Sequence, residues 1–296
     1  MAIDPQAELK QFTPKHDFMV GIDSDGCAFD TMEVKHKECF IPNIIRYWKL
    51  QPVSKYAREA AEFVNLYSHW RGINRFPALV MVFDLLRERP EVIKRNVTIP
   101  QADSIRKFID SGVPLGNPAL KEAVQQTSDE ELELALRWSE AVNRTVAETV
   151  EGVPPFPYVR ESLEKLSSRS DIIVVSATPC EALAREWKEH DIAKYVEVIA
   201  GQEMGKKKEH LALTTSGKYS DGKVLMIGDA LGDYNAAKAN DALFYPVIPS
   251  REEESWEKFY NEACDIFLDG RFAGDYEQQL MQDFEKYLPE TPPWKV

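Results

Sequence analysis

From about residue 158 onward, short apolar runs alternate with helix-like stretches, and this alternation limits the fold more than any other feature of the chain. The runs are DIIVVSA (171–177), YVEVIAG (195–201), KVLMIGD (223–229), ALFYPVI (242–248) and DIFL (265–268). Each is almost unbroken in apolar character, as a strand must be when both of its faces meet core. Between them PYVRESLEKLSSR, EALAREWKEH, KKEHLALTTSG and DYNAAKAN read as helices. Strand and helix in alternation predict an α/β fold, a parallel sheet with helices on both sides. One more run, DFMVGID near residue 20, supplies the first strand.

Between that first strand and the rest the texture changes. Helical patterns cover 33–49, 53–70, 76–88, 101–111, 117–126 and 128–150, with no comparable strand among them. The last opens Ser128-Asp129-Glu130-Glu131, which predicts a capping box on Ser128. EGVPPFP (151–157) then stops the helix, because proline lacks the donor a helix interior needs. The expected organisation is an α/β core made of 1–31 and 156–296, interrupted by an all-helical domain at 32–155. The tail beyond about 250 is expected to pack on the core and shows no chemistry of its own.

At 296 residues the chain can bury roughly three quarters of its unfolded surface, enough for a true hydrophobic core. A net charge of −13 excludes a polyanion-binding surface, which needs clustered Lys and Arg, so no nucleic-acid partner is expected. It leaves room for a small anionic substrate held by local donors. The first residues carry no apolar targeting segment, and no run reaches the length of a membrane span. Cys27, Cys39, Cys180 and Cys264 lack disulfide-like or zinc-like spacing, so free thiols and a reducing cytoplasm are expected. The oligomeric state is not legible.

The chemistry gathers at the ends of the strands, where parallel α/β sheets bind ligands. The first strand runs into Asp23 and Asp25; the next ends in Ser176, followed by Ala177 and Thr178. The strand near 224 ends Gly228-Asp229, with Asp233 one helical turn later. In SATPCE, Thr178 fits an N-cap, Pro179 the first helical position and Glu181 the third, so a helix start would aim free N–H groups at the sheet edge. The three carboxylates of Asp23, Asp25 and Asp229, converging without compensation, cost several kcal/mol, and Mg²⁺, which takes carboxylates, waters and phosphate oxygens, would relieve them. Lys206, Lys207 and Lys208 lie between two strands, where one lysine could enter the same cleft as a point charge.

An apolar strand ending D-x-D (Asp23, Asp25), a strand ending in Ser176, an intervening lysine and a strand ending G-D-x-x-x-D (Gly228, Asp229, Asp233) resemble the haloacid dehalogenase superfamily in order and spacing. The helical insertion after the first motif is similar to that superfamily's C1-type cap. The resemblance implies a Rossmann-like core and Mg²⁺-dependent chemistry on a small phosphorylated metabolite. Asp23 would be the nucleophile that forms an aspartyl-phosphate, and Asp25 the general acid and base. Asp23, Asp229 and the main-chain carbonyl of Asp25 would hold the metal, with Asp233 supporting its shell. Ser176, Ala177, Thr178 and Gly26 would contact the phosphoryl group. The lysine motif departs from the superfamily, lacking its usual Pro; spacing fits Lys207 first, then Lys206, with Lys208 third.

The acid at position 25 separates this chain from the dehalogenases, which lack one there, and from phosphonate-cleaving members, which carry Ala. A phosphatase is therefore expected, with a sugar-phosphate mutase using the same aspartyl-phosphate as the enzymatic alternative and a non-catalytic metabolite binder as the other. SHWRGINRFP (68–77) places His69, Arg71, Asn74 and Arg75 at a break between helices, where Arg71 and Arg75 could clamp a second anionic group of the substrate.

Overall fold

The computed structural model describes residues 4–295. Its sheet has five strands, β1 (Phe18–Ile22), β2 (Ser170–Val175), β3 (Val198–Ala200), β4 (Val224–Gly228) and β5 (Leu243–Pro246), in the order β3-β2-β1-β4-β5. All pairs are parallel. This is a Rossmann-like α/β architecture, with β1 central. Ile22 lies opposite Val174 of β2 and Ile227 of β4, so the carboxyl ends of these three strands are level with one another. Every residue of β1, β2 and β4 is buried, which explains the unbroken apolar runs. Val20, Ile22, Ile172, Val174, Leu225 and Ile227 share one core with Leu163, Trp187 and Phe259 from the covering helices.

DIFL is not a strand. Residues Cys264–Leu268 form a helix whose Phe267 packs edge-on against Phe18, ring centroids 5.1 Å apart. A run of four apolar residues satisfies either period, and here the core contact of one helical face decides it.

The chain divides into two compact units: the residues up to Thr31 with Gly152–Tyr287, and Met32–Glu151 with the residues from Leu288 on. The first holds the sheet. The second is helical, with its longest helices at Ser54–Asn65, Arg75–Glu88, Asn117–Thr127 and Glu130–Thr149, around a core that includes Trp48, Phe76, Phe83 and Trp138. Lys35–Phe40 forms a π-helical stretch within the first helical segment. Ser128 does not cap the last of these helices. It sits in the left-handed region (φ 52°), ending the helix before it, and Asp129 takes over as cap by accepting the Leu132 N–H at 3.0 Å.

The residues from Leu288 on, expected with the α/β core, group with the helical unit instead. Trp294 packs edge-on against Phe63 (5.8 Å) and under the Arg89 guanidinium (4.4 Å), and the His69 N–H donates to the Pro289 carbonyl at 3.3 Å. Among the described residues no helix is long and apolar enough to cross a membrane.

Candidate active site

Asp23 follows β1 directly, and its N–H donates to the Ile227 carbonyl at 3.0 Å, which prolongs the β1–β4 ladder by one residue. Its carboxylate is therefore fixed by the sheet. One oxygen, Oδ1, accepts the Ser24 N–H at 2.8 Å, and the other, Oδ2, accepts from Lys207 Nζ at 2.6 Å. Lys207 Nζ also donates to Asp233 Oδ1 at 2.6 Å, so one ammonium bridges two buried carboxylates.

Three local features deliver this arrangement. The helix Lys207–Thr215 begins with Lys206 at its N-cap, where the Lys206 N–H donates to the Glu209 carboxylate at 2.8 Å. Lys206 and Lys208 are exposed while Lys207 turns inward, so the register of this helix start selects the lysine. The helix Leu231–Lys238 brings in Asp233, whose Oδ2 accepts the Ala230 N–H at 3.1 Å. Gly228 makes room for it, since a Cβ at that position would sit 2.6 Å from Asp233 Oδ2.

Asp229, at the end of β4, completes the cluster. Asp23, Asp229 and Asp233 are all nearly inaccessible, and each offers a carboxylate oxygen within 4.8 Å of the other two. Burial holds the Asp23 carboxyl well above the usual carboxylate range, Lys207 opposes this, and Asp233 and Asp229 push the same way as burial. Asp233 is raised as well, again by burial first. For Lys207, burial favours the neutral amine, but Asp23, Asp233 and Asp229 together outweigh it and hold the ammonium above its ordinary value. Three carboxylates against one ammonium leave an excess of negative charge in a desolvated pocket, and the donors are all hard oxygens. A divalent cation such as Mg²⁺ fits this donor set.

Asp25 is treated differently. Its carboxylate accepts the Thr178 hydroxyl at 2.5 Å and a second hydroxyl, from Thr31. Thr178 is thus not a helix cap: the helix Cys180–Glu189 starts after Pro179, and Glu203 Oε2 accepts the Cys180 N–H at 2.9 Å in the place where an anion was expected. Ser176 ends the β2 ladder with its N–H on the Ala200 carbonyl (3.0 Å), and its hydroxyl oxygen accepts the Thr178 N–H at 3.2 Å. Ala177 is exposed beside it. Gly26 adopts φ 74°, a left-handed turn that glycine takes without strain.

The structure therefore brings Asp23, Lys207, Asp229 and Asp233 together, with Asp25 two residues further along the turn after β1 and Ser176 and Thr178 beyond the end of β2. Arg71 and Arg75 are bonded within the helical unit. Arg71 is buried and donates to the Leu66 carbonyl at 2.9 Å. Arg75 donates to Ser139 Oγ (2.9 Å) and Asn143 Oδ1 (2.8 Å) and lies 5.0 Å from the Phe40 ring centroid. Asn74 caps the helix Arg75–Glu88 through Phe76 N–H. These side chains hold the helical unit's own packing. Sequence reasoning missed the partners of Asp25; a β-branched hydroxyl six residues after it was the available signal for Thr31.

The profile of the haloacid dehalogenase-like hydrolase family matches residues 92–246, more than half of the chain. The matched span holds Ser176, Lys207, Asp229 and Asp233, while Asp23 and Asp25 precede it. No curated protein matches the chain. Among solved structures, a haloacid dehalogenase-superfamily hydrolase of subfamily IA, variant 1, from Geobacter sulfurreducens is 14% identical, covering 79% of this chain and 89% of that one, with TM-score 0.40. A haloacid dehalogenase-like family protein from Streptococcus pneumoniae is 14% identical over 81% and 90% (TM-score 0.41). A haloacid dehalogenase-like family hydrolase from Xanthomonas campestris is 10% identical over 88% and 96% (TM-score 0.45).

Proposed function

We propose that this chain, which belongs to the haloacid dehalogenase-like hydrolase family, hydrolyses a small phosphate monoester through an aspartyl-phosphate on Asp23. The observation that carries the proposal is the Lys207 bridge, 2.6 Å to both Asp23 and Asp233 beside Asp229. A carboxylate can act as nucleophile only when ionised, and burial alone would keep Asp23 protonated. Lys207 opposes that. Mg²⁺, held by Asp23, Asp229 and the Asp25 carbonyl with Asp233 behind them, would neutralise the remaining charge together with that of the phosphoryl oxygens.

In the first half-reaction an Asp23 oxygen attacks phosphorus, the P–O bond to the leaving group breaks, and Asp25 gives its proton to the departing oxygen. In the second, water attacks the same phosphorus and gives a proton to Asp25. The acyl-phosphate P–O bond then breaks with its electron pair returning to Asp23, and inorganic phosphate leaves. Ser176 Oγ and the N–H of Ala177 would bind the phosphoryl oxygens, and the hydroxyls of Thr31 and Thr178, which donate to Asp25, would orient it. We read the helical insertion as a cap, because the chain departs for it directly after the Asp23–Asp25 turn and returns before β2.

The test is phosphate release from p-nitrophenyl phosphate and a panel of small phosphate esters, with Mg²⁺ or with EDTA, for wild type and Asp23→Asn. Turnover that needs Mg²⁺ and disappears in Asp23→Asn is expected. Turnover that survives either change overturns the mechanism, and isomerisation of sugar phosphates without phosphate release would make the chain a mutase.

A further inference from the structure

Two buried tryptophans from distant parts of the chain donate their indole N–H to the same short turn. Trp187, on the helix Cys180–Glu189, donates to Ser24 Oγ at 3.0 Å. Trp256, on the helix Glu252–Lys258 in the tail that shows no chemistry in the sequence, donates to the Cys27 carbonyl at 2.7 Å. Both indoles, Ser24 and Cys27 are fully buried. The turn they grip is the one that carries the two aspartates: Ser24 separates Asp23 from Asp25, and its carbonyl accepts the N–H groups of Ala28 (2.9 Å) and Phe29 (3.0 Å).

Ser24 is held on every side. Its hydroxyl accepts from Trp187 and donates to Glu186 Oε2 at 3.2 Å, while its N–H donates to Asp23 Oδ1. A polar residue at full burial is costly unless its donors and acceptors are matched, and here they are. Burial alone does not bring an indole an acceptor. Trp138 is as deeply buried in the helical unit, and its Nε1–H has no partner. Main-chain bonds also close within the turn, from Gly26 N–H to the Phe29 carbonyl (2.8 Å), and Phe156 N–H donates to the Ala28 carbonyl (3.0 Å) from outside it.

We infer that Trp187 and Trp256 are positioning residues that clamp the Ser24–Phe29 turn and so keep Asp25 in line with Asp23. An indole has two rotatable bonds and a rigid body, so a single hydrogen bond from a packed ring fixes its acceptor firmly. The clamp acts most on the second half-reaction, when Asp25 takes a proton from the attacking water and a misplaced carboxylate slows hydrolysis of the aspartyl-phosphate. This role rests on the reaction proposed above.

The experiment compares Trp187→Phe, Trp256→Phe and Ser24→Ala with wild type, since Phe keeps most of the ring and removes the N–H. Five quantities are read: thermal midpoint, kcat and KM for p-nitrophenyl phosphate, the fraction of enzyme trapped as acid-quenched phosphoenzyme, and amide hydrogen exchange over residues 24–29. A displacement of less than 1 Å at a catalytic group is expected to lower kcat about tenfold. KM should move less than about twofold, and phosphoenzyme should accumulate. Trp187→Phe combined with Ser24→Ala should cost no more than Ser24→Ala alone, because both remove the Trp187–Ser24 bond and only Ser24→Ala also removes the bond to Glu186. Variants that melt cooperatively and keep kcat within about twofold of wild type overturn the inference, as does a kcat loss without phosphoenzyme accumulation. If Trp187→Phe fails to fold, Ser24→Ala and Trp256→Phe decide. If wild type turns over no ester, the hydrolase reading has failed, and exchange decides the clamp: faster exchange at 24–29 in both Trp variants supports it, and unchanged exchange overturns it.

Discussion

Replacing Lys207 by Met keeps the methylene stem and removes the ammonium, so Asp23 Oδ2 and Asp233 Oδ1 each lose a partner at 2.6 Å. Asp229 remains within 4.8 Å of both, and with an effective dielectric of about 20 two unit charges at that distance repel by about 3 kcal/mol. Removing one member of a buried ion pair costs about 3–5 kcal/mol for the same reason. At about 2–4 °C per kcal/mol the thermal midpoint should fall by roughly 6–20 °C at pH 8 in EDTA. The pH dependence follows from the signs. Asp23 and Asp233 already titrate above the unfolded carboxylate range, and without Lys207 they move further up. The folded variant then binds more protons than the unfolded chain, so its stability falls as pH rises and its deficit shrinks toward acid. Lys207 is raised, so its own contribution is complete below the ordinary lysine range and does not vary between pH 5 and 9. Melting curves by circular dichroism at pH 5 and pH 8, with EDTA and with Mg²⁺, read the whole prediction. Mg²⁺ should narrow the gap. A midpoint at pH 8 in EDTA within about 2 °C of wild type, or a deficit that grows toward pH 5, would refute the charge argument.

Thr178→Val should lower kcat about tenfold with little change in KM, since a hydrogen bond to a charged group is worth about 1.5 kcal/mol, and steady-state kinetics reads both. Burial pushes the fully buried His210 imidazole down to about 4, below its unfolded value, so stability is lost as pH falls from the ordinary histidine range through that point. His210→Leu should remove up to about 3 kcal/mol of that acid-side loss, measured by urea titrations at pH 7 and pH 4.5, and an identical pH slope in the variant would contradict it. Trp294→Ala should cost roughly 1–3 kcal/mol through the contacts with Phe63 and Arg89, visible as a lower midpoint and faster proteolysis of the helical unit.

The sheet and the aspartates were readable because their signals are local. Strands buried on both faces leave unbroken apolar runs, and Asp23, Ser176 and Asp229 sit at the ends of runs that adjoin in the fold. Spacing ranks Lys207 ahead of Lys206 and Lys208, but what selects it is a helix start that Glu209 fixes by one hydrogen bond. Ser128 and Thr178 each fit a capping pattern, and in both places another partner wins: Asp129 caps the first helix, and Asp25 takes the Thr178 hydroxyl. Arg71 and Arg75 stand at a helix break where a clamp on an anionic substrate group is expected, yet Arg75 turns toward Ser139 and Asn143, which lie more than sixty residues along the chain. Trp256 and Cys27 are further apart still, and no periodicity announces a bond between them.

The discontinuity of both units sets an order of events during synthesis. β1 is made early, but its partner β2 follows only about 150 residues later, and closing a loop of that length has an entropic cost that β1 cannot offset alone. Until then β1 leaves the ribosome as an apolar strand with both edges open, the kind of segment that pairs with the wrong neighbour. The helical unit is made meanwhile from local contacts and can form early, but it lacks Trp294 until the tail emerges. Neither half is complete until β5, the helix that bears Trp256 and the residues beyond Leu288 have been translated, so native packing of both units waits for those segments.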